Sequence, residues 1–183
     1  MKHVLVILTF LLLLISGNST INASGIDGFT NVPWATSRGE VANRMAVLNF
    51  PKDPESNVNR DIYEGMFAAH KAYLTFRFIN DVFYSGGALF VDTYRTFQEG
   101  GNGIVDYYFK DFETQLISKY GKPSKRPYDD SDYWDIEEQG IRIEIKLGKN
   151  YSKKGGDNSR VFVNYDNKTL YEKEKQHVTN RDL

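Results

Sequence analysis

The sequence predicts an α+β fold: an antiparallel sheet with two main helices on one face, in which a helix followed by three strands occurs twice. Two hairpin signals and one helical stripe carry that expectation. Apolar residues alternate on either side of Asn80 and Asp81, and again on either side of Gln139 and Gly140. A two-residue loop joins antiparallel neighbours, because a parallel return needs a long crossover. Between the hairpins Val105, Tyr108, Phe109, Phe112, Leu116 and Tyr120 recur at three- and four-residue spacing, the repeat of one helix face. Helices inserted as blocks between consecutive antiparallel strands define the α+β class.

Phe29, Val32, Pro33 and Trp34 form an apolar lead-in. Ser37 with Glu40 three residues later has capping-box spacing, so a helix is expected over 38–48 with Val41, Met45 and Leu48 inward. Pro51 and Pro54 end it and open a polar loop. A strand is expected over 62–67. Over 73–79, Leu74, Phe76 and Phe78 point one way and Tyr73, Thr75 and Arg77 the other. The Asn80–Asp81 loop pairs Ile79 with Val82 and Phe78 with Phe83, and in simple continuation Arg77 with Tyr84. Gly86 and Gly87 interrupt the return strand, 82–91, and suggest a bulge that turns Leu89 or Phe90 inward.

The central helix is expected over 103–120, with Gly121 past its end and Pro123 blocking continuation. Strands over 133–138 and 141–147 then pair Ile136 with Ile143 and Trp134 with Ile145 on one face. Glu137 meets Arg142 and Tyr133 meets Lys146 on the other. Asp135 opposite Glu144 is the one poor pair, with Arg142 and Lys146 diagonally near. A basic loop over 148–158, a strand over 160–165 and a polar tail from about 167, helical over 169–176 and frayed at its end, complete the chain.

Lys2 and His3 precede an apolar run over 4–15, followed by small and polar residues ending in Ala23. This is the layout of a secretory signal peptide over 1–23, and the run is well short of the ~20 residues that span a bilayer. The expectation is one domain over 24–183, periplasmic or secreted, with no transmembrane segment. The chain has no cysteine, so its core must hold it; 12 Tyr, 12 Phe and 2 Trp supply one. The 23 Lys plus Arg against 24 Asp plus Glu leave no global basic field for nucleic acid.

Phe29-Thr30-Asn31-Val32-Pro33-Trp34 leading into Ser37, Glu40 and Val41 resembles the opening of small exported bacterial α+β proteins of uncharacterised role. Lys119-Tyr120-Gly121-Lys122-Pro123, closing a helix before a Trp-bearing strand, and the closing Val163-Asn164-Tyr165-Asp166-Asn167 fit the same group. Ala35 departs from it, since such proteins often carry Gly after the Trp. The resemblance implies a bacterial periplasmic location and an α+β fold, and it brings no catalytic residues.

No catalytic, metal or cofactor set is legible. His70 and His177 stand far apart, and no serine lies in a nucleophile elbow. Two separated histidines without cysteine give no zinc ligand set. Asp129, Asp130, Asp132 and Asp135 lack the glycine and distal Glu of an EF-hand loop and suit a solvated linker. Gly100, Gly101, Asn102 and Gly103 are neither a P-loop nor a dinucleotide fingerprint, and a strand-to-helix reversal needs such residues anyway. Lys146, Lys149, Lys153 and Lys154 form a basic patch that suits a loop kept soluble by charge. Asn-x-Ser/Thr sequons occur at Asn18, Asn22, Asn150 and Asn167. Tyr73, Arg77 and Tyr84 are the candidate binding surface, an aromatic and cationic group that can stack on a sugar or peptide. The sequence therefore points to a non-enzymatic binding domain whose partner is another periplasmic or envelope protein or component. A small carboxylate-dependent hydrolase and an enzyme inhibitor or immunity protein are the alternatives.

Overall fold

The computed structural model describes residues 26–90, 102–127, 129–150 and 160–181. The expected signal peptide, Gly100, Gly101, Lys153 and Lys154 lie outside them. Within them the protein is α+β, with mostly antiparallel sheet and three helices. The order is β1 (Gly28–Phe29), β2 (Val32–Pro33), α1 (Arg38–Val47), β3 (Arg60–Phe67), β4 (His70–Ile79), β5 (Val82–Phe90), α2 (Asn102–Tyr120), β6 (Ser124–Arg126), β7 (Asp129–Glu138), β8 (Ile141–Asn150), β9 (Arg160–Asn167) and α3 (Lys168–Arg181). β1 and β2 form a small hairpin. The other seven strands form one sheet in the order β3-β4-β5-β9-β8-β7-β6, so two meanders meet where β5 pairs antiparallel with β9.

Local chemistry sets the boundaries. Ser37 Oγ accepts the Glu40 N–H at 3.3 Å and starts α1. The Glu40 carboxylate turns instead to Arg44, at 2.7 Å along the helix. Val41 and Met45 are buried as expected, whereas Leu48 is the C-cap and is exposed, because the helix ends a residue early. Both hairpin loops take the left-handed conformation at both positions: φ is 51° and 65° at Asn80 and Asp81, and 52° and 77° at Gln139 and Gly140. That is the backbone a right-twisted two-residue hairpin needs. All the predicted pairs across Gln139 and Gly140 are present. α2 ends on Gly121, at φ 80°, whose N–H reaches the Ile117 carbonyl at 2.9 Å. The Trp134 indole N–H then donates to the Gly121 carbonyl at 2.8 Å, fastening the helix end to β7.

One buried cluster joins Val41 and Met45 of α1, Val105, Phe112 and Leu116 of α2, and inward residues of the sheet such as Leu74, Phe76, Ile145 and Val163. Rings fill it: Phe90 stacks on Phe112 at 4.2 Å, and Phe29 of the small hairpin stacks on Phe67 at 5.5 Å. His70 belongs here too, edge-on to Tyr108 at 4.6 Å.

The structure corrects four expectations. The bulge lies at Tyr84, because Arg77 pairs with Ser85 and Phe78 with Phe83. Gly86 and Gly87 are regular strand residues that make room for other groups: a Cβ on Gly86 would stand 2.3 Å from the Phe29 ring, and one on Gly87 2.3 Å from Asn164 Oδ1. The phase shift still turns Phe90 inward, while Leu89 faces outward. The acidic run is not a linker but the start of β7, and Gly148 to Asn150 continue β8. The polar tail is a docked helix, α3. Its first turn is capped by Asn167, whose Oδ1 accepts the Leu170 N–H at 2.8 Å and which is buried rather than offered as a sequon. Thr169 Oγ1 accepts the Arg142 N–H at 2.8 Å, and Asn80 donates to the Glu174 carbonyl at 3.2 Å, so α3 touches the loop ends of both hairpins.

Candidate functional site

The strand alternation that buries Leu74, Phe76 and Phe78 sends Tyr73, Thr75 and Arg77 to the opposite, outward side of the sheet. Register carries that side across the meanders: Thr75 lies beside Gly87, Asn164, Lys146 and Tyr133 in one row. In the next row Tyr73 lies beside Leu89, Phe162 and Gly148. Asn164 lies over Gly87 and the Phe162 ring over Gly148, where a Cβ would come within 2.2 Å of the ring. Small residues under larger ones leave a trough of about 360 Å³, lined by Thr75, Leu89, Asn150, Arg160, Phe162 and Asn164. It combines one aromatic ring, an arginine and several neutral hydrogen-bonding groups, the mixture that orients a ligand. A hollow of about 450 Å³ between the β1–β2 turn and α1 has a mainly apolar surface, with Thr30, Asn31, Glu40, Asn43 and Arg44 also bordering it.

Of the three sequence candidates, Tyr73 and Arg77 share this face, four residues apart on β4. Tyr84 does not join them in the open part. Its ring lies 5.1 Å from the Tyr171 ring of α3, and burial pushes its hydroxyl pKa up. Arg77 stands between Arg60 on β3 and Ser85 on β5 rather than opposite Tyr84. The residues that sequence reasoning missed are Phe162, Asn164 and Arg160. Their signal was the alternation of β9, which places them opposite the buried Val161, Val163 and Tyr165.

Two carboxylates of the outward face, Asp129 and Glu144, have their pKa held down by neighbouring donors and cations. Asp129 accepts from Lys146 Nζ at 2.8 Å, from the Ser131 N–H at 2.9 Å and from the Tyr133 hydroxyl, which together keep it well below the usual carboxylate range. Burial pushes Glu144 upward, but Lys168 at 2.9 Å and Arg126 outweigh it and hold it down. Arg126, not Arg142, relieves the Asp135–Glu144 pair: it contacts both carboxylates and lies 3.9 Å from the centre of the Tyr133 ring. Asp132, on the inward side of β7, is buried and meets Lys125. Glu113 of α2 lies near it, and burial with the neighbouring Asp132 carboxylate raises the Glu113 pKa. The acidic run thus serves separate contacts. Among the described residues no group of three or more His, Cys, Asp or Glu is placed to hold a metal ion. Lys146 and Lys149 of the expected basic patch are occupied, by Asp129 and by Asp106 at 2.6 Å.

Each sheet edge is covered in part; among the described residues the outer edge of β7 over 134–138 has no strand partner beyond β6. The segment before β3 covers it with backbone bonds, Asp53 N–H to the Ile62 carbonyl at 2.8 Å and Glu64 N–H to the Pro51 carbonyl at 3.0 Å. The far edge, β6, is three residues long and carries Lys125 and Arg126, the charge and brevity that block strand addition. No helix among the described residues is long and apolar enough to cross a membrane. Compared with protein-family models, with curated proteins and with solved structures, the chain matches none.

Proposed function

We propose that the protein is an exported, non-enzymatic binding domain that recognises an envelope component through the outward face of its sheet. In this reading residues 1–23 are a cleaved leader, the mature chain is periplasmic, and α1 and α2 lie on one face of the sheet. The likeness to small exported bacterial proteins fits it. The single observation that carries it is the trough at Thr75, Phe162 and Asn164. It has ligand-orienting chemistry on the open face of the sheet, and it lies beside carboxylates held as ion pairs rather than poised as acids. A benzophenone side chain at position 75, in the full chain expressed with its leader, should give an envelope adduct. The same probe at exposed Lys110 on α2 should give none. Equal or absent adducts at both positions defeat the proposal.

A hydrolase is the second reading, on one observation: Glu113, whose pKa is raised by burial, lies near the buried Asp132 carboxylate. Turnover of any glycan, peptide or phosphoester that is lost in Glu113→Gln would favour it.

A further inference from the structure

The outward face is divided by charge. On β6 to β8 and the end of β9, Asp129, Asp135, Glu144 and Asp166 are all in ion pairs, with Lys146, Arg126 and Lys168. On β3, β4 and the start of β9, Arg60, Lys71, Arg77 and Arg160 share the outward side with one carboxylate, Glu64. None of those four cations is in an ion pair among the described residues. Arg60 and Arg77 sit directly opposite each other, an arrangement that repels across strands. The Nε atoms of Arg60 and Arg160 are buried without a hydrogen-bond partner. A chain with net charge −1 thus carries four cations outside ion pairs on this half of the face, of which Arg160 lines the trough.

We propose that this half of the face binds an acidic polysaccharide. Its anionic groups meet Arg77 at one end of the trough and Arg160 at the other. Its sugar rings lie between them on Phe162, with hydroxyls bonded to Thr75, Asn150 and Asn164. The inference rests on the binding reading above and names the ligand class of that site. Register sets the span. Arg160 is six residues along β9 from Asp166, and Asp166 shares the row of Arg77 and Ser85. The two arginines are therefore about 20 Å apart along the strands, at ~3.4 Å per residue. That suits an oligomer better than a single small anion. An extended acidic peptide fits less well, because lying on the sheet face its backbone N–H and C=O groups would find no ladder partners. Side-chain amides, a hydroxyl and one ring instead match sugar hydroxyls and C–H faces.

The test uses the mature protein with polygalacturonate, dextran sulfate, neutral dextran and polyglutamate, by titration calorimetry at low and at physiological salt. At least one acidic polysaccharide should bind, with affinity falling as salt screens the charges, while dextran does not bind and polyglutamate binds at least about tenfold more weakly. The double variant Arg77→Gln/Arg160→Gln should lose about tenfold or more. Arg142→Gln, on the other half, should bind as the parent does. Unchanged melting curves show that both variants are folded. No binding to either acidic polysaccharide, equal binding of dextran or polyglutamate, or an undiminished double variant overturns the inference. If it falls while the adduct at position 75 persists, the binding reading stands and only its ligand class is wrong.

Discussion

Asp61 is the perturbation that should cost the fold most for a single polar residue. Its carboxylate is 0% exposed. Arg38 grips it twice, Nε to Oδ2 at 2.9 Å and Nη2 to Oδ1 at 2.6 Å, and Lys52 Nζ reaches Oδ1 at 2.6 Å. Arg38 also donates to the Val58 carbonyl at 2.9 Å and the Asn57 carbonyl at 2.5 Å, so one guanidinium ties the start of α1 to β3 and the loop before it. Removing the carboxylate leaves two cations facing each other. Breaking a buried pair by removing one partner costs about 3–5 kcal/mol. Arg38 is 30% and Lys52 48% exposed, and water can take up part of the loss, so Asp61→Ala should sit near the lower bound, about 3 kcal/mol. At about 2–4 °C per kcal/mol for a chain of this size, Tm falls by about 6–12 °C. Exchanging the pair for Arg38→Met with Asp61→Leu should recover most of that, since a packed apolar replacement avoids desolvating charge. Burial pushes the Asp61 pKa up, but Arg38 and Lys52 outweigh it and hold it below the ordinary value. The stability it contributes is therefore present above the unfolded pKa, about 3.9, and is lost as pH falls through the folded value. Urea unfolding followed by the fluorescence of Trp34 and Trp134 reads both effects. A loss under about 1 kcal/mol, or a gap between parent and Asp61→Ala that stays constant down to pH 3, would refute this reasoning.

Glu113 has the opposite sign. Burial and the nearby Asp132 carboxylate raise its pKa, so stability is higher at acid pH and is lost as pH rises through the folded value. Glu113→Gln, which carries no charge at any pH, should flatten the dependence of Tm on pH above the ordinary glutamate range and raise Tm at neutrality. Parallel parent and variant profiles would rule that contact out. Ala35 sits at φ 65°, where a Cβ is disfavoured. Ala35→Gly removes about 1–2 kcal/mol of strain against about 0.5–1 kcal/mol of added chain entropy, so a net gain of up to about 1.5 kcal/mol is expected in urea unfolding. A loss would show that the left-handed turn is not strained.

Local pattern made the hairpins readable. Around Gln139 and Gly140 the apolar and polar faces agree with a two-residue loop, and no distant residue is needed to fix that register. The Ser37 cap and the Gly121 stop were legible for the same reason. What was misread depends on contacts made far along the chain. Gly86 and Gly87 imitate a bulge, yet the Phe29 ring and the Asn164 amide require them. Asp129, Asp132 and Asp135 look like a solvated run because Lys146, Lys125 and Arg126, which neutralise them, come from other strands. α3 has no apolar stripe; Asn167, Thr169 and Tyr171 fix it through a cap, a backbone bond and one ring contact. The trough failed to show for a related reason. β9 presents Phe162 and Asn164 as ordinary alternating residues, and only its place beside β5 and β8 sets them over Gly87 and Gly148.

Hydroxyl-radical footprinting of the mature protein, with and without an envelope extract, reads the outward face directly. The account predicts that labelling of Tyr73 and Phe162 drops in the extract while that of Tyr107, 67% exposed on α2, does not change. Equal labelling of Tyr73 and Phe162 in both conditions, or protection of Tyr107 instead, would contradict it.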